Sequence, residues 1–165
     1  MLDTIVAPAT PYGESSIGVI RISGSEALPI VKNLTKSKVF KKRYAHYRKV
    51  YLDNDIIDDV IVTFYESPNT YTGEDLVEIS CHGSVTIVKT IVNELVSMGC
   101  LMAEPGEFTK ISFLNGKINL LKAEAIGDLI SAETEIQRKQ ALNIIKGKSY
   151  LKFKNLREQL IKILS

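Results

Sequence analysis

The sequence predicts an α+β fold: a mixed sheet of about five strands with flanking helices, followed by long α-helices. Two observations carry this. Over the first half, short β-branched runs alternate apolar and polar residues with period two, and beyond Ser84 the apolar period becomes that of an amphipathic helix. A chain of 165 residues, 45% of them hydrophobic, is also long enough for one domain with a real core and an appendage.

Taken in order, "TIVAPAT" and "IGVIRIS" read as strands separated by the turn-rich link "PYGESS". Ser25 is placed to cap a helix from Glu26 to about Leu34, with Pro29 in or just beyond its first turn. Two further strands, "AHYRKVYL" and "IIDDVIVTFYE", are joined by "DND" as a hairpin turn, and the polar loop "SPNTYTGED" leads into a fifth. Val85, Val88, Ile91, Val92 and Leu95 recur at helical spacing up to a stop at Gly99. "EPGEF" opens a short helix that Asn115-Gly116 ends. Asn119 is a good N-cap for helix that runs to the end of the chain, through Ala123, Ile126, Leu129, Ile130, Leu142, Ile145, Leu156, Leu160 and Ile163. Residues 1–118 therefore read as a compact α+β domain and 119–165 as one or two long helices that cannot cover their own apolar stripe. The ending "LREQLIKILS" stops in mid-pattern, as in the front part of a longer protein or in a chain that dimerises.

Bulk properties exclude several function classes. A formal net charge of +2 gives no global field for nucleic acid, so such binding would need a local patch. Two cysteines, no CxxC and no leading apolar run point to a reduced, cytoplasmic chain without secretion signal or membrane span. Two buried thiols are favoured over a Cys81–Cys100 disulfide.

"YTGEDLVEISCHG" sets Cys81 beside His82, yet in an alternating strand the two leave opposite faces. Val77, Ile79 and Cys81 read as core; Glu78, Ser80 and His82 share the other face, and Glu78 is the stronger functional candidate. Gly147-Lys148-Ser149 has the tail of a phosphate-binding loop but lacks the glycine five positions earlier, where Leu142 stands, so Lys148 reads as a solvated helical residue. The stretch from Lys36 to Lys49 interleaves basic and aromatic residues; it fits either a phosphate-tracking surface or, preferably, an edge strand guarded by lysines. "LDNDIIDD" reads as a solvated turn without calcium-loop spacing. Arg21 and Glu78 each interrupt an apolar strand, and Lys117 follows the Asn-Gly turn. An unpaired charge there is costly, which implies either an Arg21–Glu78 bridge or a ligand with a donor edge and an anionic tail.

Taken together, "TIVAPATPYGESSIGVIRISG", "YTGEDLVEISCHG" and "AEPGEFTKISFLNGKINLLKAEAIGDLI" resemble the N-terminal part of the bacterial tRNA-modification GTPases called MnmE or TrmE, over essentially the whole chain. The resemblance implies a first domain like the folate-binding domain of the aminomethyltransferase family. That domain would bind 5-formyl- or 5,10-methylene-tetrahydrofolate and form a homodimer. It implies contacts from the arginine of "RISG", here Arg21, the second glutamate of "TGED..E", here Glu78, and the lysine of "FLNGK", here Lys117. A carboxylate suits the paired N–H donors of a pterin edge and cations suit the glutamate tail, so Glu78 would clamp a one-carbon donor that itself carries the chemistry. No catalytic residue and no metal site is expected within these residues. Full-length members add a GTPase with GTP, Mg and K, work with the FAD-dependent partner MnmG, and build an aminomethyl-type group on the wobble uridine of tRNA. No complete P-loop, NKxD or terminal cysteine motif occurs in this chain, so a truncation without GTP hydrolysis is expected. It departs from the family pattern at Ser84, Ile111, Ser112 and Asn119. Two other readings compete: a scaffold that dimerises and presents tRNA through Lys41, Lys42, Arg43 and Arg48 without binding folate, and a stand-alone aminomethyltransferase relative.

Overall fold

The computed structural model describes residues 3–11, 13–53, 55–147 and 159–161. The chain falls into two compact units divided between Ile111 and Ser112.

The first unit is built on strands β1 (Ile5–Pro8), β2 (Ser15–Ser23), β3 (Ala45–Leu52), β4 (Asp55–Tyr65), β5 (Leu76–Gly83) and β6 (Leu101–Met102), in the spatial order β3-β4-β5-β2-β1-β6. All neighbours are antiparallel except β1 and β6, so the sheet is mixed as expected. It has a sixth strand. With only two residues, β6 carries no alternation to read; its neighbourhood is recruited by the Leu101 N–H donating to Thr4 O and the Ala103 N–H donating to Val6 O, both at 2.9 Å.

Helices α1 (Ala27–Leu34) and α2 (Val85–Ser97) pack on one face of this sheet. Their Val31, Leu34, Val88, Ile91, Val92 and Leu95 close over Ile20, Ile22, Val62, Phe64, Val77 and Ile79, all buried. The start of α1 differs from the expectation: Glu26, not Ser25, is its N-cap, and no side chain caps it. A tertiary tie replaces the local cap. Gly24, at φ +136°, turns the chain hard against Thr4, whose Oγ1 accepts from the Glu26 N–H at 3.1 Å. A Cβ on Gly24 would lie 2.4 Å from that oxygen, which requires glycine here. The end of α2 follows the sequence closely: the Gly99 N–H donates to Val96 O and the Cys100 N–H to Leu95 O, a Schellman turn with Gly99 at φ +106°.

Helix α3 (Glu107–Leu114) ends in the same way, with the Gly116 N–H on Phe113 O at 3.0 Å and the Lys117 N–H on Ser112 O at 2.9 Å. Helices α4 (Leu120–Ile130) and α5 (Glu135–Ile145) pair within the second unit. Asn119 caps α4 by accepting from the Lys122 N–H at 2.9 Å, and Thr134 with Gln137 forms a reciprocal capping box on α5. Uninterrupted helix beyond Asn119 is therefore not observed. The chain breaks between Ile130 and Glu135, and Gly147, at φ +74°, marks a second stop just after α5. Ile130, expected on the apolar stripe, is 82% exposed, because it is the last residue before the break. Lys148, Leu156 and Ile163 lie outside the described residues; Leu160 is helical and exposed.

Candidate functional site

The face of the sheet opposite α1 and α2 holds the charged positions. Along β2 and β5 the buried residues alternate with half-buried Val19, Arg21, Glu78 and Ser80, and the register sets Arg21 directly across from Glu78, itself across from Thr63 of β4. Both Arg21 Nε (3.0 Å) and Nη2 (2.7 Å) donate to the same oxygen, Glu78 Oε1. The two side chains are 29% and 25% exposed, too buried for either charge to stand alone. The cross-sheet bridge anticipated from the sequence is thus present. Among the described residues, Glu78 Oε2 is left with only a long 3.4 Å contact from the Tyr65 hydroxyl.

Aromatic rings surround the pair. The Arg21 guanidinium lies 5.6 Å from the ring centre of Tyr71 and 5.8 Å from that of Phe108, and Arg43 sits 5.7 Å from that of Tyr65. The Tyr71 hydroxyl hydrogen-bonds Thr109 Oγ1 at 2.8 Å, which fastens the "NTYTGED" loop to α3. Burial, and then the Glu78 carboxylate beside it, push the Tyr65 phenol above its ordinary pKa. The loop itself is held from below: Ser23 Oγ and Thr72 Oγ1, both fully buried, meet at 2.7 Å, and Ser23 Oγ donates to Glu74 Oε2 at 3.0 Å. Two guanidiniums, one carboxylate and three rings make a surface suited to a flat heteroaromatic group carrying negative charge.

Of the three residues singled out in the sequence, Arg21 and Glu78 come together. Lys117 belongs to the second unit, where its backbone completes the turn after α3 and its side chain is exposed. The sequence does not mark Tyr65, Tyr71 or Phe108 as part of a site, and it marks Arg43 only for a tRNA-presenting surface. Tyr65 shares the face of Glu78 only through the β4–β5 register, which no local pattern shows; Tyr71 and Phe108 lie within the family motifs but read as ordinary loop and helix residues until the loop closes on α3.

Cys81 and His82 do point apart. Cys81 is buried, its thiol within 3.4 Å of Gly18 O, and Cys100 is buried and equally free; burial raises both thiols to about 11. His82 is solvent-facing, with Nδ1 2.6 Å from Asp58 Oδ1. Asp58 corrects the reading of "LDNDIIDD" as wholly solvated. It shares the inward face of Val60, Val62 and Phe64, is 8% exposed, and its carboxylate accepts from the His82 backbone N–H at 2.7 Å where the β4–β5 ladder has ended. Among the described residues no group of three or more His, Cys, Asp or Glu could hold a metal.

Residues 4–117 match the family described as GTP-binding protein TrmE N-terminus. The chain belongs to the TrmE N-terminal family. It is also 46% identical to a tRNA modification GTPase MnmE of Aquifex aeolicus over 100% of this chain and 37% of that one. Similar matches are 48% to the MnmE of Pelagibacter ubique and 49% to that of Francisella tularensis subsp. novicida, covering 98% and 96% of this chain. The chain thus spans little more than a third of the length of these relatives. Ser84 stands at the N-cap position of α2 without a side-chain cap bond, Asn119 caps α4, and Ile111 and Ser112 are buried. No helix among the described residues is long and apolar enough to cross a membrane.

Proposed function

We propose that residues 1–118 are the tetrahydrofolate-binding and dimerising module of a tRNA-modifying GTPase, and that 119–165 begin its helical domain. In this reading the whole protein acts in the cytoplasm with an FAD-dependent MnmG partner, uses GTP with Mg and K, and serves 5-aminomethyl-type modification of the tRNA wobble uridine. The observation that supports it is the half-filled carboxylate of Glu78. Arg21 occupies one oxygen and the other is open to an N–H donor of a pterin edge, between rings that suit a flat heterocycle. A cation such as Arg21 suits the anionic tail of 5-formyl- or 5,10-methylene-tetrahydrofolate, and the family resemblance alone adds Lys117 to the folate contacts. The bound folate supplies a one-carbon unit; the chain orients it and holds water away from it.

Calorimetric titration with 5-formyltetrahydrofolate tests this, run on the parent and on Glu78→Ala with oligomeric state measured alongside. Saturable binding by a dimeric parent, abolished in a folded Glu78→Ala, is the expected result. A folded, dimeric parent that takes up no folate would replace this reading with that of a scaffold.

A further inference from the structure

Two guanidiniums border Glu78, and their donors are used differently. Arg21, on the Oε1 side, gives Nε and Nη2 to the carboxylate and lies against Tyr71 and Phe108. On the Oε2 side comes the Tyr65 hydroxyl at 3.4 Å, and the Arg43 guanidinium rests 5.7 Å from the centre of that tyrosine's ring. Nη2 of Arg43 donates to Asn69 O, at the start of the loop that Tyr71 fastens to α3. A guanidinium carries five N–H donors. Among the described residues, Nε and Nη1 of Arg43 make no hydrogen bond and no carboxylate pairs with the side chain, whereas its neighbour Lys42 is paired with Glu66 at 2.9 Å.

Arg43 is exposed yet held in place. Its backbone N–H donates to Phe64 O at 2.7 Å, and its φ of +58° is left-handed, a conformation that glycine, asparagine and aspartate adopt readily and a long side chain adopts only against steric resistance. With the Asn69 bond and the Tyr65 ring, this fixes where the guanidinium sits.

Two plainer roles fall short of these observations. Fastening the loop uses one donor and no charge. Guarding the edge strand β3 against aggregation calls for cations turned to water, as Lys49 is, and not for a guanidinium packed on the ring that borders the open oxygen of Glu78.

We infer that Arg43 is a further ligand-binding residue of the Glu78 site and takes a carboxylate of the folate's glutamate tail. This rests on the tetrahydrofolate reading proposed above. Arg21 has two donors committed to Glu78, so Arg43 is the freer of the two cations. Each Nη2 hydrogen belongs to a different fork of the guanidinium, one shared with Nε and one with Nη1. Whichever hydrogen Asn69 takes, the other fork remains for a carboxylate to accept bidentately. The site would then select a folate with a charged tail over one whose tail is neutral.

The test is calorimetric titration of the 165-residue chain with 5-formyltetrahydrofolate and with its diamide, in which both glutamate carboxylates are amidated. Arg43→Gln is compared with Lys89→Gln, which removes the same charge from an exposed position on α2, on the other face of the sheet. Urea midpoints confirm that both variants are folded. Arg43→Gln should bind 5-formyltetrahydrofolate about three- to tenfold more weakly than the parent while its affinity for the diamide stays within about twofold. Lys89→Gln should match the parent with both ligands. An Arg43→Gln that binds 5-formyltetrahydrofolate as the parent does, or that loses affinity equally for the acid and the diamide, overturns the role of Arg43 and leaves the folate reading standing, as does an equal loss in Lys89→Gln. A folded parent that binds neither ligand sinks both.

Discussion

Removing the carboxylate of Glu78 should destabilise the fold, and its coupling to Arg21 sets by how much. Arg21 spends two hydrogen bonds, at 3.0 and 2.7 Å, on one oxygen of Glu78, with the side chains 29% and 25% exposed. Losing one partner of a fully buried pair costs ~3–5 kcal/mol, whereas an exposed pair contributes only ~0–1 kcal/mol. A pair about three-quarters buried falls between these, so Glu78→Ala should lower the unfolding free energy by ~2 kcal/mol. Most of that loss is the cost of leaving the guanidinium unpaired between Tyr71 and Phe108. Arg21→Met should therefore cost less, about 1 kcal/mol, because it leaves only a carboxylate that can still draw on the Tyr65 hydroxyl. The double variant Arg21→Met/Glu78→Leu removes both charges and should recover much of the loss, giving a coupling of ~1–2 kcal/mol in a urea-unfolding cycle. Single effects that simply add, with coupling under ~0.5 kcal/mol, would show that the bridge is energetically idle and refute the reasoning.

Asp58→Ala should cost ~2 kcal/mol by urea unfolding, since it removes the buried acceptor of the His82 and Asp59 backbone N–H groups, while His82→Ala, losing a solvent-facing ring, should cost under ~1 kcal/mol; equal effects would reverse that assignment. Cys81 and Cys100, raised to about 11, stay protonated in the fold over a range where the unfolded thiols ionise. Stability should accordingly be intact below pH 9 and fall as the pH rises from 9 to 11, with both thiols slow towards Ellman's reagent at pH 8 until the chain is unfolded. Gly24→Ala would force a Cβ within 2.4 Å of Thr4 Oγ1 at φ +136° and should lower the melting temperature by the equivalent of ~2 kcal/mol or more. Gly127→Ala, in α4 with open space at its Cβ, should raise stability by ~0.5–1 kcal/mol in the same assay.

Elements were legible in the sequence where the determinant is local. Periodicity located five strands and α2, and Gly99, Gly116 and Asn119 set the helix ends they promised because a left-handed turn or a cap depends on one residue's own chemistry. Features set by tertiary partners were not legible. Helix α1 begins one residue late because Thr4, 22 residues earlier in the chain, holds Glu26; β6 exists because β1 offers an edge; and Asp58, which the alternation of β4 turns inward, finds its partner only at the end of β5. The same division runs through the site. Arg21 and Glu78 stood out as charges in apolar strands, but their rings come from a register and a loop closure that composition does not encode.

The bridge and the ligand reading are compatible at this position. A carboxylate kept in a half-buried sheet for a ligand's donors must be paired when no ligand is there, and Arg21 does so through Oε1 alone. Had the guanidinium forked across both oxygens, the pair would be closed and a ligand would have to break it. With both bonds on one oxygen, Oε2 can accept a new donor while Arg21 keeps its hold, so binding adds interactions and loses only the long Tyr65 contact. The two readings then part on one variant. Glu78→Gln retains an acceptor oxygen for Arg21 and removes the charge that a pterin edge would need, so a ligand clamp predicts folate binding lost with most stability kept. A purely structural bridge predicts that folate binding, if present at all, survives.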